Sequence, residues 1–402
     1  MILSHNYEIE TIPLSLYIHM PWCKKKCPYC DFNSHEFKDV FPEEKYCEAL
    51  LKDFFDILPS MKKRRIETIF FGGGTPNLFT PRSIEKIITN VKNYIDVRPD
   101  AEISLESNPD SLNYEQSYLL ENLSAIRDSG VTRLSVGIQS FDDLVLKDLG
   151  RLYTGSEALF FLRAACKIFK NTNVDLMYGT PNQNFKIAND DLITAISFKP
   201  NHLSLYQLAI EPNTLFFKNT PSLPNDDQIW EMYTSSLETL KLNGYGRYEI
   251  SAFSFPEKEC KHNLNYWKFG DYVGIGAGAH SKLTKTNSIE RHICKKNPDE
   301  YINLLTNCST YSNSTDGYKH RNVLDVGQKE LSFEFMLNGL RLVKGVDLHD
   351  FTQLTGCSKN DLSGGINTGV KKGFLEVDGD IVKPTLHGLN FLNELQLLFM
   401  PK

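Results

Sequence analysis

The chain has 402 residues, 41% hydrophobic and 23% charged, which suits a folded globular protein with one large core and a smaller second one. A net charge of −6 argues against a nucleic-acid binder held mainly by phosphate contacts, and no apolar run is long enough to span a bilayer. Residues 1–10 show no basic start and no apolar stretch, so no secretory signal is expected; nine cysteines, an odd number with one tight cluster, fit a reducing cytoplasm.

In chain order, Leu14 to Met20 reads as a short strand that delivers a loop with Cys23, Cys27 and Cys30 in Cys-x3-Cys-x2-Cys spacing. Thiolates are soft ligands suited to iron–sulfur clusters and zinc. Three of them leave a fourth position open, where an iron chelates a small molecule through an amine and a carboxylate. A structural zinc completed by His35 is the alternative at this point. Pro21 and Pro28 stiffen the loop, and Lys24 to Lys26 form a basic tip that is either simply solvated or a dock for an acidic electron donor. The other six cysteines (Cys47, Cys166, Cys260, Cys294, Cys308, Cys357) are scattered and read mostly as small buried side chains.

A helix starts at Phe41–Pro42–Glu43–Glu44, and Arg65 to Phe71 is a strand ending in Gly72–Gly73–Gly74–Thr75–Pro76. Pro81 opens a helix to about Tyr94, Glu102 to Ser107 is a strand, and Tyr114 to Ser129 is helical. Val131 to Gly137, Asn173 to Met177 and His202 to Leu208 are further strands, with helical sequence through Phe169 and over Ile187 to Phe198. Six strand-then-helix units imply a parallel sheet with right-handed crossovers, an open, partial (β/α)6 barrel whose site lies at the C-terminal strand ends. The polar oddities fall at those ends. Gly73, Gly74 and Thr75 permit close backbone approach to a ligand. Glu106 and Asp175 suit acceptance from ribose hydroxyls, Arg151 suits a carboxylate, and Gln139 suits either task.

Past about Asn243 the rhythm changes. Tyr248–Glu–Ile–Ser is strand-like, and Cys260 to Trp267 is a dense polar and aromatic patch. Histidine and cysteine are usual haem ligands and aromatics suit a porphyrin face, so His262, Asn263, Tyr266 and Trp267 are haem candidates, with His262 the favoured axial ligand and Cys260 its competitor. Gly274–Ile–Gly–Ala–Gly resembles a dinucleotide fingerprint only superficially, since it opens no βαβ unit. Residues 282–325 are polar and read as a surface linker with some helix. Glu330 to Leu342 is a core helix, Phe374 to Pro384 a hairpin with an Asp–Gly turn, and Leu386 to Phe399 a final helix. The division expected is a barrel over 1–245, a haem-motif and barrel-edge segment over 246–285, and a helical, winged-helix-like domain over 286–402 serving as lid or dock.

Taken together, the cysteine loop after Tyr17–Ile–His19, the Gly–Gly–Gly–Thr–Pro at 72–76, Cys30–Asp–Phe–Asn33, Tyr206–Gln207, Glu211–Pro, Tyr248–Glu–Ile–Ser, His262 to Trp267 and Gly274 to Ser281 resemble the oxygen-independent coproporphyrinogen III oxidase group of radical S-adenosylmethionine (SAM) proteins, and within it the HemW haem chaperones. The resemblance covers nearly the whole chain. It implies a 4Fe-4S cluster on Cys23, Cys27 and Cys30. It also implies contacts of Tyr17, Gly73 and Glu106 with cluster-bound SAM, and of Tyr29, Gly74, Thr75, Gln139, Arg151 and Asp175 with a second SAM, as in the oxidases. His262 to Trp267 matches the chaperones' haem-binding motif. The chain departs from the oxidases at Phe32, where they carry a fourth cysteine, and in lacking their long N-terminal arm; it departs from the group at Tyr153, where Gly–Arg–x–His is usual. The function implied is a haem carrier that passes haem to an acceptor protein, with a flavodoxin or ferredoxin as electron donor, transient contact with membrane haem proteins and no nucleic-acid partner. The alternative is an enzyme that decarboxylates coproporphyrinogen III.

Overall fold

The computed structural model describes residues 9–37, 41–61, 63–109, 116–306 and 319–401. Residues 1–8, the expected helix start at Tyr114 and Cys308 lie outside them. The strands in chain order are β1 (Leu14–Met20), β2 (Trp22–Cys23), β3 (His35–Glu36), β4 (Ile66–Gly73), β5 (Val97–Ser107), β6 (Arg133–Gln139), β7 (Thr172–Tyr178), β8 (His202–Gln207), β9 (Gly246–Arg247), β10 (Ala252–Ser254), β11 (Asp271–Ile275), β12 (His280–Thr284), β13 (Ile289–Cys294), β14 (Arg321–Asp325), β15 (Val346–Asp347), β16 (Leu375–Asp378) and β17 (Ile381–Pro384).

β1, β4, β5, β6, β7 and β8 lie side by side in sequence order and pair in parallel, as six strand–helix units require. Their residues alternate between two faces. Leu14, Leu16, Ile18, Met20, Ile69, Phe71, Ile103, Leu105, Leu134, Val136, Val174 and Leu176 belong to the large core shared with the helices. The other face is polar and bonded within itself. Thr68 donates to Ser15, Asn173 donates to both Ser135 and Asp175, and Ser204 donates to Asn173. Buried polar groups joined in this way avoid the penalty of unpaired desolvation.

The parallel row does not stop at six. After β10 and then β9 extend the sheet beyond β8, the chain crosses the polar face through the helix Lys261–Trp267 and adds β11 in parallel to β1 on the other side. From β11 the sheet continues as an antiparallel meander of β12, β13 and β14. The expected linker over 282–325 is therefore corrected: its described parts are largely strands of the main sheet, with one helix, Pro298–Thr306. Two buried charge centres fix this extension. Asp271 accepts from Arg64 and Lys282 at 2.8 and 2.9 Å and from Thr284. Asp53, in the helix Glu43–Ile57, accepts from Arg321, His320 and Tyr301 and from the Gly276 amide. Charges of both signs are buried here, and pairing makes their burial tolerable.

A second core gathers Phe335, Leu340, Phe351, Leu375, Val382, Leu395 and Phe399. It lies between the helices Gln328–Gly339, Leu348–Thr355 and Ser363–Lys371 and the small sheet β15-β17-β16. The hairpin β16–β17 turns through Gly379 and Asp380, with Gly379 at φ 58°. The expected single helix at 386–399 is two, Leu386–Asn390 and Leu392–Leu397, broken at Phe391.

Candidate active site and the cavity beside it

β1 ends at the cysteine loop, and the glycine run at the end of β4 is bolted beneath it. The Gly74 amide donates to the Met20 carbonyl and the Thr75 amide to the Trp22 carbonyl, both at 2.8 Å. A Cβ on Gly74 would stand 2.6 Å from the Trp22 oxygen, so only glycine permits this approach. Gly73 has φ 115°, and its amide donates to Glu106 at 3.0 Å.

A chain of hydrogen bonds then joins the loop to the neighbouring strand ends. Thr75 donates to Cys23 Sγ at 3.4 Å, and Asn108 donates to Thr75. Arg151 donates to both Asn108 and the Tyr29 hydroxyl, at 3.1 and 2.7 Å. Asn108 is a residue that the sequence did not single out. Its only signal is its place just past β5, beside Glu106. Gln139 follows a bulge in β6 and holds φ 67°, a left-handed value that a side chain adopts at a cost. Tyr153, the departure noted in the sequence, is buried and donates to the Gly137 and Ile138 carbonyls, so it clamps that bulge.

Cys23, Cys27, Cys30, Tyr29, Gly73, Gly74, Thr75, Glu106, Gln139, Arg151 and Asp175 line one cleft of about 410 Å3. None of the three thiols is in a disulfide, and all are partly exposed. Among the described residues no group of three or more His, Cys, Asp or Glu side chains is placed to hold a single metal ion, as zinc completed by His35 requires. A cubane makes a different demand, one thiolate per iron around a larger body, with one iron left for another ligand. The cleft supplies that ligand's surroundings: backbone amides, an arginine and two acids. Burial raises the Glu106 carboxyl to about 7; the Gly73 amide opposes this and the Asp175 charge adds to it. Asp175 is also raised by burial, against hydrogen bonds from Asn173, Ser204 and Ser135.

Tyr17 faces a second cavity, of about 540 Å3, which shares Phe32, Gly73 and Glu106 with the first. Tyr266 and Trp267 from the crossing helix line it, as do Tyr272 of β11 and His280 of β12. His262 and Asn263 are not among its lining residues. His262 is 1% exposed, stacked on Phe70 at 5.0 Å, and hydrogen bonded through Nδ1 to Thr68 and through Nε2 to the Tyr266 hydroxyl. Burial lowers its pKa to about 3. Cys260 is buried against Glu102, and burial pushes its thiol up to about 12. Neither expected axial ligand presents a free donor atom here. His262 instead holds the ring of Tyr266, and Asn265, which the sequence reading passed over, pins the turn after the helix by donating to the Asp271 carbonyl.

The sequence matches the radical SAM superfamily over residues 17–191 and the HemN C-terminal domain over 326–391. It is 41% identical to the heme chaperone HemW of Haemophilus influenzae across 96% of this chain and 98% of that protein. The protein of the same name from Escherichia coli is 38% identical, with 98% and 99% covered. In three dimensions the chain resembles coproporphyrinogen III oxidase (HemN) from Escherichia coli, a radical SAM enzyme, with a TM-score of 0.79 at 22% identity over 96% of this chain and 90% of that one. That likeness concerns the fold.

Proposed function

The chain belongs to the HemW family within the radical SAM superfamily, and from that premise we propose that it carries haem to an acceptor protein, holding a 4Fe-4S cluster and SAM in the cysteine cleft and haem in the adjoining cavity. Cys23, Cys27 and Cys30 hold the cluster; when bound, it supplies electrons and an open iron for SAM. The Gly73 and Gly74 backbone, Thr75, Glu106 and Arg151 then meet the amine and carboxylate of SAM. Gln139, Asp175 and Tyr29 close the far side, where a second SAM or the ribose of the first is received.

The observation that carries the haem reading is the second cavity. Phe32, Tyr266, Trp267 and Tyr272 give it aromatic walls, and it opens beside the cluster cleft rather than elsewhere on the molecule. Its size falls within the ~300–1,000 Å3 usual for cofactor sites. Phe32 is 62% exposed, and burying such a ring against a porphyrin is favourable. Among the described residues no helix is long and apolar enough to cross a membrane, so contact with membrane haem proteins is proposed as docking only.

The test is haem transfer under anaerobic conditions. Loaded protein should pass haem to a haem-poor acceptor, faster when the cluster is present. With coproporphyrinogen III, SAM and a reductant it should form no protoporphyrinogen IX. Turnover of coproporphyrinogen III would establish the oxidase reading instead.

A further inference from the structure

Three histidines stand at or behind the aromatic cavity, and their nitrogens are in different states. His19 shares Nδ1 with the Tyr17 hydroxyl and Nε2 with the Asn33 carbonyl, both at 3.0 Å. His262 has both nitrogens bonded, as described. His280, the first residue of β12, lines the cavity, is exposed, and makes no side-chain hydrogen bond among the described residues.

Resting on the proposed haem-carrier reading, we propose that His280 is the axial ligand of haem iron in this cavity and that Lys296 pairs with a haem carboxylate. Partial desolvation of the ring at the cavity wall, with the charges of Lys296 and Arg291, pushes the His280 pKa below its ordinary value, so at neutral pH the ring carries a lone pair for iron. Lys296 lines the same cavity, is exposed, and has no ion pair among the described residues. Arg291 is less available, being held by Glu334 and Tyr272. The cavity thus offers haem its three needs: a nitrogen donor, aromatic walls for the macrocycle and a cation for a carboxylate. The motif helix contributes Tyr266 and Trp267 to the walls, with His262 as the buried post behind Tyr266. His280 and Lys296 also sit on segments fixed to the cysteine loop. Asn33 donates to the Ala277 and Lys296 carbonyls, both at 2.9 Å, so the ligand and the cation are placed relative to the cluster, not only to each other.

The experiment titrates ferric haem into the anaerobically reconstituted full chain and follows the Soret band and electron paramagnetic resonance. His280→Ala should shift the Soret band and weaken binding about tenfold or more, tenfold corresponding to ~1.4 kcal/mol. Added imidazole should restore the spectrum in His280→Gly. His262→Ala should loosen binding through Tyr266 yet keep a nitrogen-ligated spectrum. Lys296→Ala should weaken haem several-fold without moving the spectrum, and should not weaken haem dimethyl ester, which has no carboxylate. Iron and sulfide content and circular dichroism confirm that each variant is folded and loaded. An unchanged spectrum and affinity in His280→Ala, with the ligand signature lost in His262→Ala, would overturn the assignment and leave the carrier reading standing. Failure of the unaltered protein to take up haem would overturn both.

Discussion

The cleft under the cysteine loop and the cavity next to it share one wall and are built by different means. The first is made at the ends of parallel strands, where backbone amides, Glu106, Asp175 and the Thr75–Asn108–Arg151–Tyr29 chain converge on polar ligands. The second is walled by rings from the crossing helix and β11, closed by the antiparallel meander, and steadied from behind by buried charge at Asp271 and Asp53. Directional hydrogen bonds fix the position of a small charged molecule. In the proposed haem reading, aromatic faces and His280 would hold a flat molecule without enclosing it, which suits cargo that must leave.

The largest effect should come from emptying one side only. Cys23, Cys27 or Cys30→Ala should abolish the brown colour and the roughly four irons and four sulfides per chain that a cubane brings, whereas Cys47→Ala should leave both; haem uptake should be weakened but retained. Stoichiometric zinc without sulfide would refute the division. The next effect strikes the other side. Asp53→Ala leaves Arg321 buried without its partner and should cost ~3–5 kcal/mol in chemical denaturation, loosening β14 and the meander before the parallel strands, as hydrogen exchange would report. Burial alone would raise the Asp53 pKa, but Arg321 and His320 outweigh it and hold the carboxyl well below the usual range. Its contribution to stability is therefore present above the ordinary carboxylate value and is lost only as pH falls below it.

A subtler test separates the two by pH. Burial raises the Glu106 carboxyl to about 7. Since its folded value is raised, ionising it costs stability as pH rises from the ordinary glutamate value toward 7, and above that the cost is constant. A SAM ammonium prefers the carboxylate. SAM affinity should therefore fall below about pH 7, by at most ~tenfold per unit, with proton release on binding near neutrality. Glu106→Gln should flatten the profile; a profile that stays unchanged would remove Glu106 from the contact. The smallest effect is at the bulge. Tyr153→Phe should cost ~1 kcal/mol in stability and shift SAM affinity slightly through Gln139; no shift in either measurement would make the clamp redundant.

The cleft is legible in the sequence because a repeat of strand and helix puts its polar exceptions at strand ends, where a ligand meets them. Spacing alone picks out Cys23, Cys27 and Cys30, and position alone picks out Glu106 and Asp175. Asn108 escapes because it works through Asn77, Thr75 and Arg151, none of them local. The meander escapes because its short strands are rich in polar residues and show no apolar run, and because Asp53 and Arg321, which justify each other's burial, are 268 residues apart. His262 is ambiguous for a related reason: a histidine beside aromatics reads the same in sequence whether or not its nitrogens are bonded to Thr68 and Tyr266, as they are here.

Asn33 sits three residues after Cys30. Its carbonyl meets His19, and its amide holds the two segments that carry His280 and Lys296. That side chain ties the order of the cysteine loop to the geometry of the cavity proposed for haem. A chain whose cluster has been lost to oxygen would present a slack loop, a displaced Asn33 and a poorer grip on haem. Loading would then be favoured by an intact cluster, so that a damaged carrier reaches its acceptor with less cargo. Asn33→Ala should mimic that damage with the cluster still in place.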